Sequence, residues 1–343
     1  MRTLKQDKTL SNIKVRVSAP ARLHLGFLDL NGSSGRKFGS IGLAIDTHHT
    51  IVEAQLTTTH SISGIAFSPE LHQKVKTIID RFYDTLARHI PADEQGVQLS
   101  LLQLIPEHAG LGSGTQLALT IGTALCQLHK ISATTLEIAD QLGRGARSGI
   151  GIATFDHGGF IVDGGLSNSS SVPPLLAHYN FPESWRVVTI MDNDHQGVHG
   201  AQELLAFKNL PTFPLDNSQA ICHLTLMKLL PALVEQKIEA FGHAITEIQA
   251  LIGDHFAPAQ GGRYTSQNVA SILHYAYSLG HTGIAQSSWG PTGCIFVKSD
   301  QVAQQLIHEL KHYANKQSNT TSELAFSVTQ ANYSGSNIEI MTV

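Results

Sequence analysis

Cysteine is scarce in this chain: Cys126, Cys222 and Cys294 are the only three in 343 residues, and they lie far apart. Neither a disulfide framework nor a Cys-x-x-Cys metal site is open to them, and each reads as a small buried hydrophobe rather than a nucleophile. No uninterrupted apolar run approaches the ~20 residues that span a bilayer. The start, Met-Arg-Thr-Leu-Lys-Gln-Asp-Lys, has no apolar h-region, so a cytoplasmic protein with no membrane attachment is expected. A basic excess is missing as well. The formal charge of −4 gives no global attraction to nucleic acid, so an anionic ligand must be gripped by local arginines and backbone amides. No internal repeat is visible, and no Gly-Lys-Ser or Gly-Lys-Thr follows a glycine run, which excludes a P-loop. The 19 histidines are scattered, not gathered into a metal-binding tract.

What the chain does have is length and punctuation. Single cores stop growing beyond ~250–300 residues, so two lobes are expected. Residues 1–12 are polar and read as a disordered tail. An N-terminal lobe is expected over 13–168 and a C-terminal lobe over 169–343, divided at the serine-rich, proline-containing stretch 166–174. Strands and helices mix without strict βαβ alternation, which favours an α+β fold. A strand pattern from Val97 to Ile105 stops at Pro106, and Leu117, Ile121, Leu125 and Leu128 recur at helical spacing after Ser113. Between them lies Pro-Glu-His-Ala-Gly-Leu-Gly-Ser-Gly-Thr, residues 106–115. Gly110, Gly112, Ser113, Gly114 and Thr115 therefore form a candidate phosphate cradle, where free helix amides and a dipole meet a backbone able to approach an anion.

The arrangement strand, Pro, Gly-Leu-Gly-Ser, helix resembles the second motif of the GHMP kinase superfamily. Ala19-Pro20-Ala21-Arg22-Leu23-His24-Leu25 looks like its first motif, and Gly283 to Gly293 stands where its C-terminal glycine-rich motif belongs. A two-lobed GHMP-kinase-like fold is implied. Kinases of this superfamily commonly carry a Mg²⁺-holding Ser directly after Gly-Leu-Gly-Ser and a catalytic Asp in Ser-Gly-Ile-Asp. Here those positions are Gly114 and Gly151, which can neither ligate a metal through a side chain nor orient an attacking hydroxyl. One branch fits these departures. Six blocks, including Ala21 to Gly32, Gly143 to Gly151, Gln196 to Gly200, Gln260 to Tyr264 and Gln286 to Pro291, resemble the β-ribofuranosylaminobenzene 5′-phosphate synthase family.

That resemblance implies a decarboxylating C-ribosyl transfer from phosphoribosyl pyrophosphate to 4-hydroxybenzoate or 4-aminobenzoate, releasing pyrophosphate and CO₂ early in tetrahydromethanopterin biosynthesis. It also implies Mg²⁺ and a homodimer. Arg36, Arg144, Arg147 and Arg263 supply guanidinium forks for phosphates or for the benzoate carboxylate. Asp29, seven residues before Arg36, is expected to face the site with it, holding Mg²⁺ or stabilising the ribosyl cation, or else to shape its loop as an Asx-turn. Asp192, after a strand ending at Met191, is a second candidate metal ligand. His24, His195 and His199 are candidate bases for a substrate phenol, whose pKa of ~10 leaves it neutral at pH 7. The His195/His199 spacing also invites a zinc reading, but Gln196 cannot serve as the base of a His-Glu-x-x-His site. Gln286, Ser287 and Ser288 offer polar contacts to substrate, and Trp289 either stacks on the ring or plugs the lobe interface. Two competing readings are an ATP-dependent small-molecule kinase and a non-catalytic ligand-sensing member of the same fold.

Overall fold

A computed structural model describes residues 13–65, 68–197, 200–317 and 323–342. The expected tail at 1–12 and the candidate base His199 lie outside these residues. The chain opens with β1 (Ile13–Asp29), β2 (Arg36–Leu56) and β3 (Ser61–Gly64), followed by α1 (Pro69–Thr85), β4 (Val97–Gln103) and α2 (Ser113–His129). Next come α3 (Thr135–Gln141), α4 (Ile150–His157), β5 (Phe160–Asp163), β6 (Leu166–Ser167) and β7 (Leu175–Tyr179). Then β8 (Arg186–Asp192) leads into α5 (Gly200–Asn209), α6 (Leu215–Leu224), α7 (Leu230–Val234), α8 (Ile238–Gln260) and α9 (Gln267–Ser278). The chain finishes with β9 (Ile284–Gln286), β10 (Thr292–Val297), α10 (Asp300–Lys316), β11 (Leu324–Thr329) and β12 (Asn337–Thr342). No helix among the described residues is long and apolar enough to cross a membrane.

Two sheets organise the fold. The long antiparallel hairpin of β1 and β2 is the spine of an eight-stranded sheet ordered β12-β1-β2-β4-β3, with β5 and β6 on the first half of β2 and β7 on β5. The second sheet runs β11-β8-β10-β9. β7 and β12 follow the expected lobe division at 168/169 in sequence, yet both pair into the first sheet.

β1 shows how pattern becomes position. Val15, Val17 and Ala19 alternate with polar residues and pack under α1, α2 and α3. The strand does not stop at Pro20, as a missing N–H would favour, because the ladder breaks register between Pro20 and Ala21 and resumes. Beyond that irregularity Ala21, Leu23 and Leu25 enter a different core, shared with α8, Trp185, Phe213 and Phe296. The second half of β1 is thereby carried into the core that joins both sheets to α8, and it brings Arg22 and His24 with it. Helix starts follow local chemistry. Ser68 caps α1 with Pro69 at its first position, and Thr134 with Glu137 closes the capping box of α3.

Candidate active site

Three segments far apart in sequence are stitched together at the end of β1. The His24 amide donates to Ser287 Oγ (3.0 Å), the Ser288 amide donates to the His24 carbonyl (2.9 Å), and Ser287 Oγ donates to the Gly110 carbonyl (2.7 Å). Thr292 Oγ1 donates to the Ala109 carbonyl at 2.7 Å, and a guanidinium nitrogen of Arg22 donates to the Gly110 carbonyl. Gly110 has a φ of +79°, and a Cβ there would lie 2.2 Å from the Ser287 carbonyl oxygen. At Gly290 a Cβ would lie 2.3 Å from the Gly110 nitrogen. These two glycines thus serve backbone-on-backbone packing, and Gly110 faces protein instead of open space. Ser288, on the same seam, sits in the left-handed region at φ +56°, a conformation the surrounding hydrogen bonds hold in place.

One consequence is a cavity of about 210 Å³ lined by Arg22, His24, Phe27, Thr115, Arg144, Arg147, Ser148, Gly151 and Ser288, with Gly143, Gly145 and Ala146. Arg144 and Arg147 are not on a helix; they lie in the loop between α3 and α4, which curls so that both flank the start of α2. No carboxylate pairs with Arg144 among the described residues, and its Nε is buried without a hydrogen-bond partner. Burial first, then the neighbouring Arg81, lowers its pKa, so this half-buried cation is set to favour an anion. A Cβ on Gly114 would meet Arg144 Nη1 at 3.7 Å, and one on Gly151 would meet Thr115 Cγ2 at 2.9 Å. Arginine thus borders the position where the kinases carry a metal-holding serine, and the position of their catalytic aspartate is closed by Thr115. Gly112 caps α2 at φ +87° and lies against the Arg22 side chain, while the Ser113 and Gly114 amides donate to no acceptor among the described residues.

The loop is held by a carboxylate that pattern alone left as a strand residue. Asp163 is buried at the end of β5 and accepts from Ser40 Oγ (2.5 Å), the Gly149 amide (2.9 Å), the Gly165 amide (2.9 Å) and Ser148 Oγ (3.3 Å). Burial raises its pKa against the pull of those four donors. It fixes Ser148 and the first turn of α4, and so the arc on which Arg144 and Arg147 stand.

A second cavity, about 20 Å³, adjoins the first and shares His24, Phe27 and Ser288 with it. Its other walls are Gly26, Gln249, Ile252, Gly253, Phe256, Gln260, Arg263, Gln286 and Trp289. The amides are locked: Gln249 donates to the Leu25 carbonyl (2.7 Å) and accepts from the Gln286 amide (2.9 Å), while Gln286 accepts from the Thr265 amide (2.6 Å). Trp289 is buried edge-on against Phe256, so it plugs the interface and also forms cavity wall. His24 stands at the junction. It is 4 % exposed, its Nε2 has no hydrogen-bond partner among the described residues, and its pKa is pushed down to about 3 by burial and, next, by Arg22. At neutral pH it is therefore an uncharged imidazole.

The remaining sequence candidates lie elsewhere. Asp29 and Arg36 line neither cavity, so they are not brought together against them. Asp29 Oδ1 accepts from the Asn31 amide (2.8 Å), the Gly32 amide (3.0 Å) and Ser218 Oγ (2.8 Å), the Asx-turn arrangement that shapes the loop and ties it to α6. Arg36 donates to the Gly164 and Gly165 carbonyls (2.8 and 2.9 Å), across β5 from the arginine loop. Asp192 is buried, accepting from Ser266 Oγ (2.6 Å), Asn268 Nδ2 (3.1 Å) and the Asp194 amide (3.2 Å). No cluster of three or more His, Cys, Asp or Glu fit to hold a metal occurs among the described residues. Asp29 Oδ2 receives only a 3.4 Å contact from Ser34 Oγ, whereas both Asp192 oxygens accept from protein donors; neither residue lines either cavity, so the structure does not bring these two candidate Mg²⁺ ligands to the site. His195 is exposed in the turn after β8 and lines neither cavity. Sequence reading missed Arg22, Gln249, Gln260 and Asp163. Arg22 and Gln260 carried a signal, the one by its place two residues from His24 in the first motif and the other by opening the block that ends at Tyr264.

Similarity to known proteins agrees with this geometry. Residues 74–159 match the GHMP kinases N terminal domain and residues 229–316 match the GHMP kinases C terminal domain. A protein of Archaeoglobus fulgidus named beta-ribofuranosylphenol 5'-phosphate synthase is 34 % identical over 87 % of this chain and 92 % of its own length. One of the same name from Methanothermobacter thermautotrophicus is 33 % identical over 81 % of this chain and 87 % of its own. Among solved structures, Lactococcus lactis galactokinase superposes with a TM-score of 0.68 at 15 % identity, covering 94 % of this chain and 95 % of its own. Homoserine kinase of Cytophaga hutchinsonii superposes at 0.64 and 18 % identity, covering 95 % of this chain and 97 % of its own. These structures share the fold.

Proposed function

The chain belongs to the beta-ribofuranosylphenol 5'-phosphate synthase family, built on the GHMP kinase fold, and from that premise we propose that it transfers a ribosyl phosphate from phosphoribosyl pyrophosphate to the ring carbon of 4-hydroxybenzoate that bears the carboxylate. The observation carrying the reading is the junction at His24: a neutral, unpartnered imidazole nitrogen between an arginine-walled cavity and an aromatic-walled one.

In this reading Arg22, Arg144 and Arg147 bind the phosphates, and the benzoate ring enters among Phe27, Phe256 and Trp289. His24 accepts the phenolic proton as the ring carbon para to the hydroxyl attacks the anomeric carbon. The anomeric C–O bond breaks with its electron pair going to pyrophosphate. The ring, now a dienone still carrying its carboxylate, loses CO₂; the pair of the broken C–C bond restores aromaticity, and the phenolate takes its proton back from His24. No net proton is exchanged. Burial does most to lower the His24 pKa; phosphate charge beside Arg22 and Arg147 offsets only the smaller part due to those cations, which makes the imidazole a better base once the donor substrate is bound. The relatives' names describe a phenol product, and the hydroxy acid is the acceptor that makes use of His24, whereas an amino group activates the ring without losing a proton.

Mg²⁺ belongs to this proposal as an ion escorted by the diphosphate of the substrate, because Asp29 and Asp192 line neither cavity. The homodimer and the place in tetrahydromethanopterin synthesis rest on family likeness. Against a kinase stand Gly114 and Gly151 and their surroundings. Mass spectrometry of the protein incubated with phosphoribosyl pyrophosphate, Mg²⁺ and each benzoate tests the reading. A ribosyl adduct lacking CO₂ is expected with 4-hydroxybenzoate; ATP consumption without such an adduct would select the kinase, and binding without turnover the ligand sensor.

A further inference from the structure

At the outer wall of the aromatic cavity, Arg263 forks onto Asp254 through two parallel bonds, Nε to Oδ1 at 2.7 Å and Nη2 to Oδ2 at 2.8 Å. Among the described residues, Arg263 is the only ionised side chain on that wall. The glutamine amides there are tied to backbone and to one another, and Phe256 and Trp289 are buried in the core, so little on that side of the wall is free to turn. Arg263 and Asp254 differ: their side chains are 41 % and 60 % exposed. The arginine stem rests on helix α8 at Gly253, where a Cβ would lie 2.6 Å from Arg263 Cγ, so the residue before Asp254 is bare to let Arg263 lie at the cavity rim. A cavity of about 20 Å³ is smaller than a benzoate ring and near the size of a single water. Entry of a ring therefore requires a wall side chain to move.

We propose that Asp254 is a stand-in for the carboxylate of the acceptor substrate, and that Arg263 exchanges one carboxylate for the other as the aromatic acid enters. The proposal rests on the acceptor assigned above and deepens it. Two-point geometry makes the exchange nearly even, since each partner offers the same fork and neither leaves the guanidinium uncompensated. The exchange also suits the chemistry. A guanidinium held only by the substrate would resist loss of CO₂, because the charge it binds disappears as the C–C bond breaks. Asp254 takes Arg263 back at that moment, so the cation is paired before, during and after the reaction. Substrate selection follows: aromatic carboxylates enter, and phenol itself, without the means to displace Asp254, does not.

The test is calorimetric binding of 4-hydroxybenzoate and of phenol, with pyrophosphate present, to the wild-type chain and to Arg263→Gln and Asp254→Asn, together with KM for both substrates in turnover. Arg263→Gln is expected to weaken 4-hydroxybenzoate at least tenfold with the KM for phosphoribosyl pyrophosphate unchanged. Asp254→Asn, which removes the competitor, is expected to tighten it severalfold. Equal affinity in Arg263→Gln and wild type overturns the proposal. So does weakening by Asp254→Asn, the result for a pair that merely braces α8, or wild-type binding of phenol as tight as of the acid. Should Arg263→Gln fail to fold, Asp254→Asn decides alone. Arg263-dependent benzoate binding without any ribosyl product would remove the assigned reaction and leave this site standing; product formation with a benzoate KM indifferent to Arg263 would do the reverse.

Discussion

Replacing His24 by Asn isolates the group on which the proposed chemistry turns. In the folded protein burial and Arg22 push its pKa down to about 3, while in the unfolded chain it returns to the ordinary 6.5. Between these values the unfolded chain holds a proton that the folded one refuses, so this residue's stability contribution is complete above pH 6.5 and drains away as pH falls toward 3. The limiting slope is about 1.4 kcal/mol per pH unit, which makes the loss at pH 5 on the order of 2 kcal/mol. His48, His129, His178, His255 and His281 also have lowered values, so the difference between wild type and variant is the quantity to read. Urea unfolding at pH 7.5 and pH 5 serves. Wild type should lose on the order of 2 kcal/mol more than His24→Asn over that interval. Equal losses, or an NMR titration of His24 with its midpoint at the ordinary histidine value, would refute the reasoning. Bound pyrophosphate should raise the midpoint, because it offsets Arg22 and Arg147.

Arg144→Gln removes a cation that no carboxylate balances, and it should raise KM for phosphoribosyl pyrophosphate about tenfold or more, as expected for a charged hydrogen bond worth ~1.5–3 kcal/mol, with KM for the benzoate unmoved. Gly110→Ala pushes a methyl to 2.2 Å from the Ser287 carbonyl at positive φ; melting should report a loss on the order of 3 kcal/mol. Gly35→Ala, also at positive φ but with nothing within 4 Å, should cost only ~1–2 kcal/mol and would expose an error if the two matched. Gly151→Asp should abolish ribosyl transfer without conferring phosphorylation of any acceptor by ATP, because its Cβ meets Thr115 at 2.9 Å.

Elements governed by local chemistry were legible in the residues. The run from Val97 through the glycines into α2 formed where spacing indicated, and the same local rules account for the capping box at Thr134 and the proline that opens α1. The continuation of β1 past Pro20 depends on a register irregularity that is invisible in sequence. β7 and β12 could not be assigned to the first sheet, since pairing partners of short strands are decided by tertiary packing. The site divides the same way. Arg144, Arg147 and Ser288 stood in motif blocks, as did His24. Asp163 looked like one more strand residue, and Gln249 like the polar face of a helix; only the meeting of α8 with the end of β1 gives Gln249 a wall to line. Asp29 and Arg36 were singled out for crowding in a short loop, and crowding is what an Asx-turn also produces.

The seam joining Gly110 to Ser287 spans 177 residues of chain. A ribosome delivers the glycine turn and every arginine of the phosphate pocket long before it delivers the turn that steadies them. A nascent chain halted before residue 287 would carry all those cations without the seam that braces the glycine turn beside them. Two fragments cut within 166–174 and mixed together would brace that turn again only by rebuilding the seam.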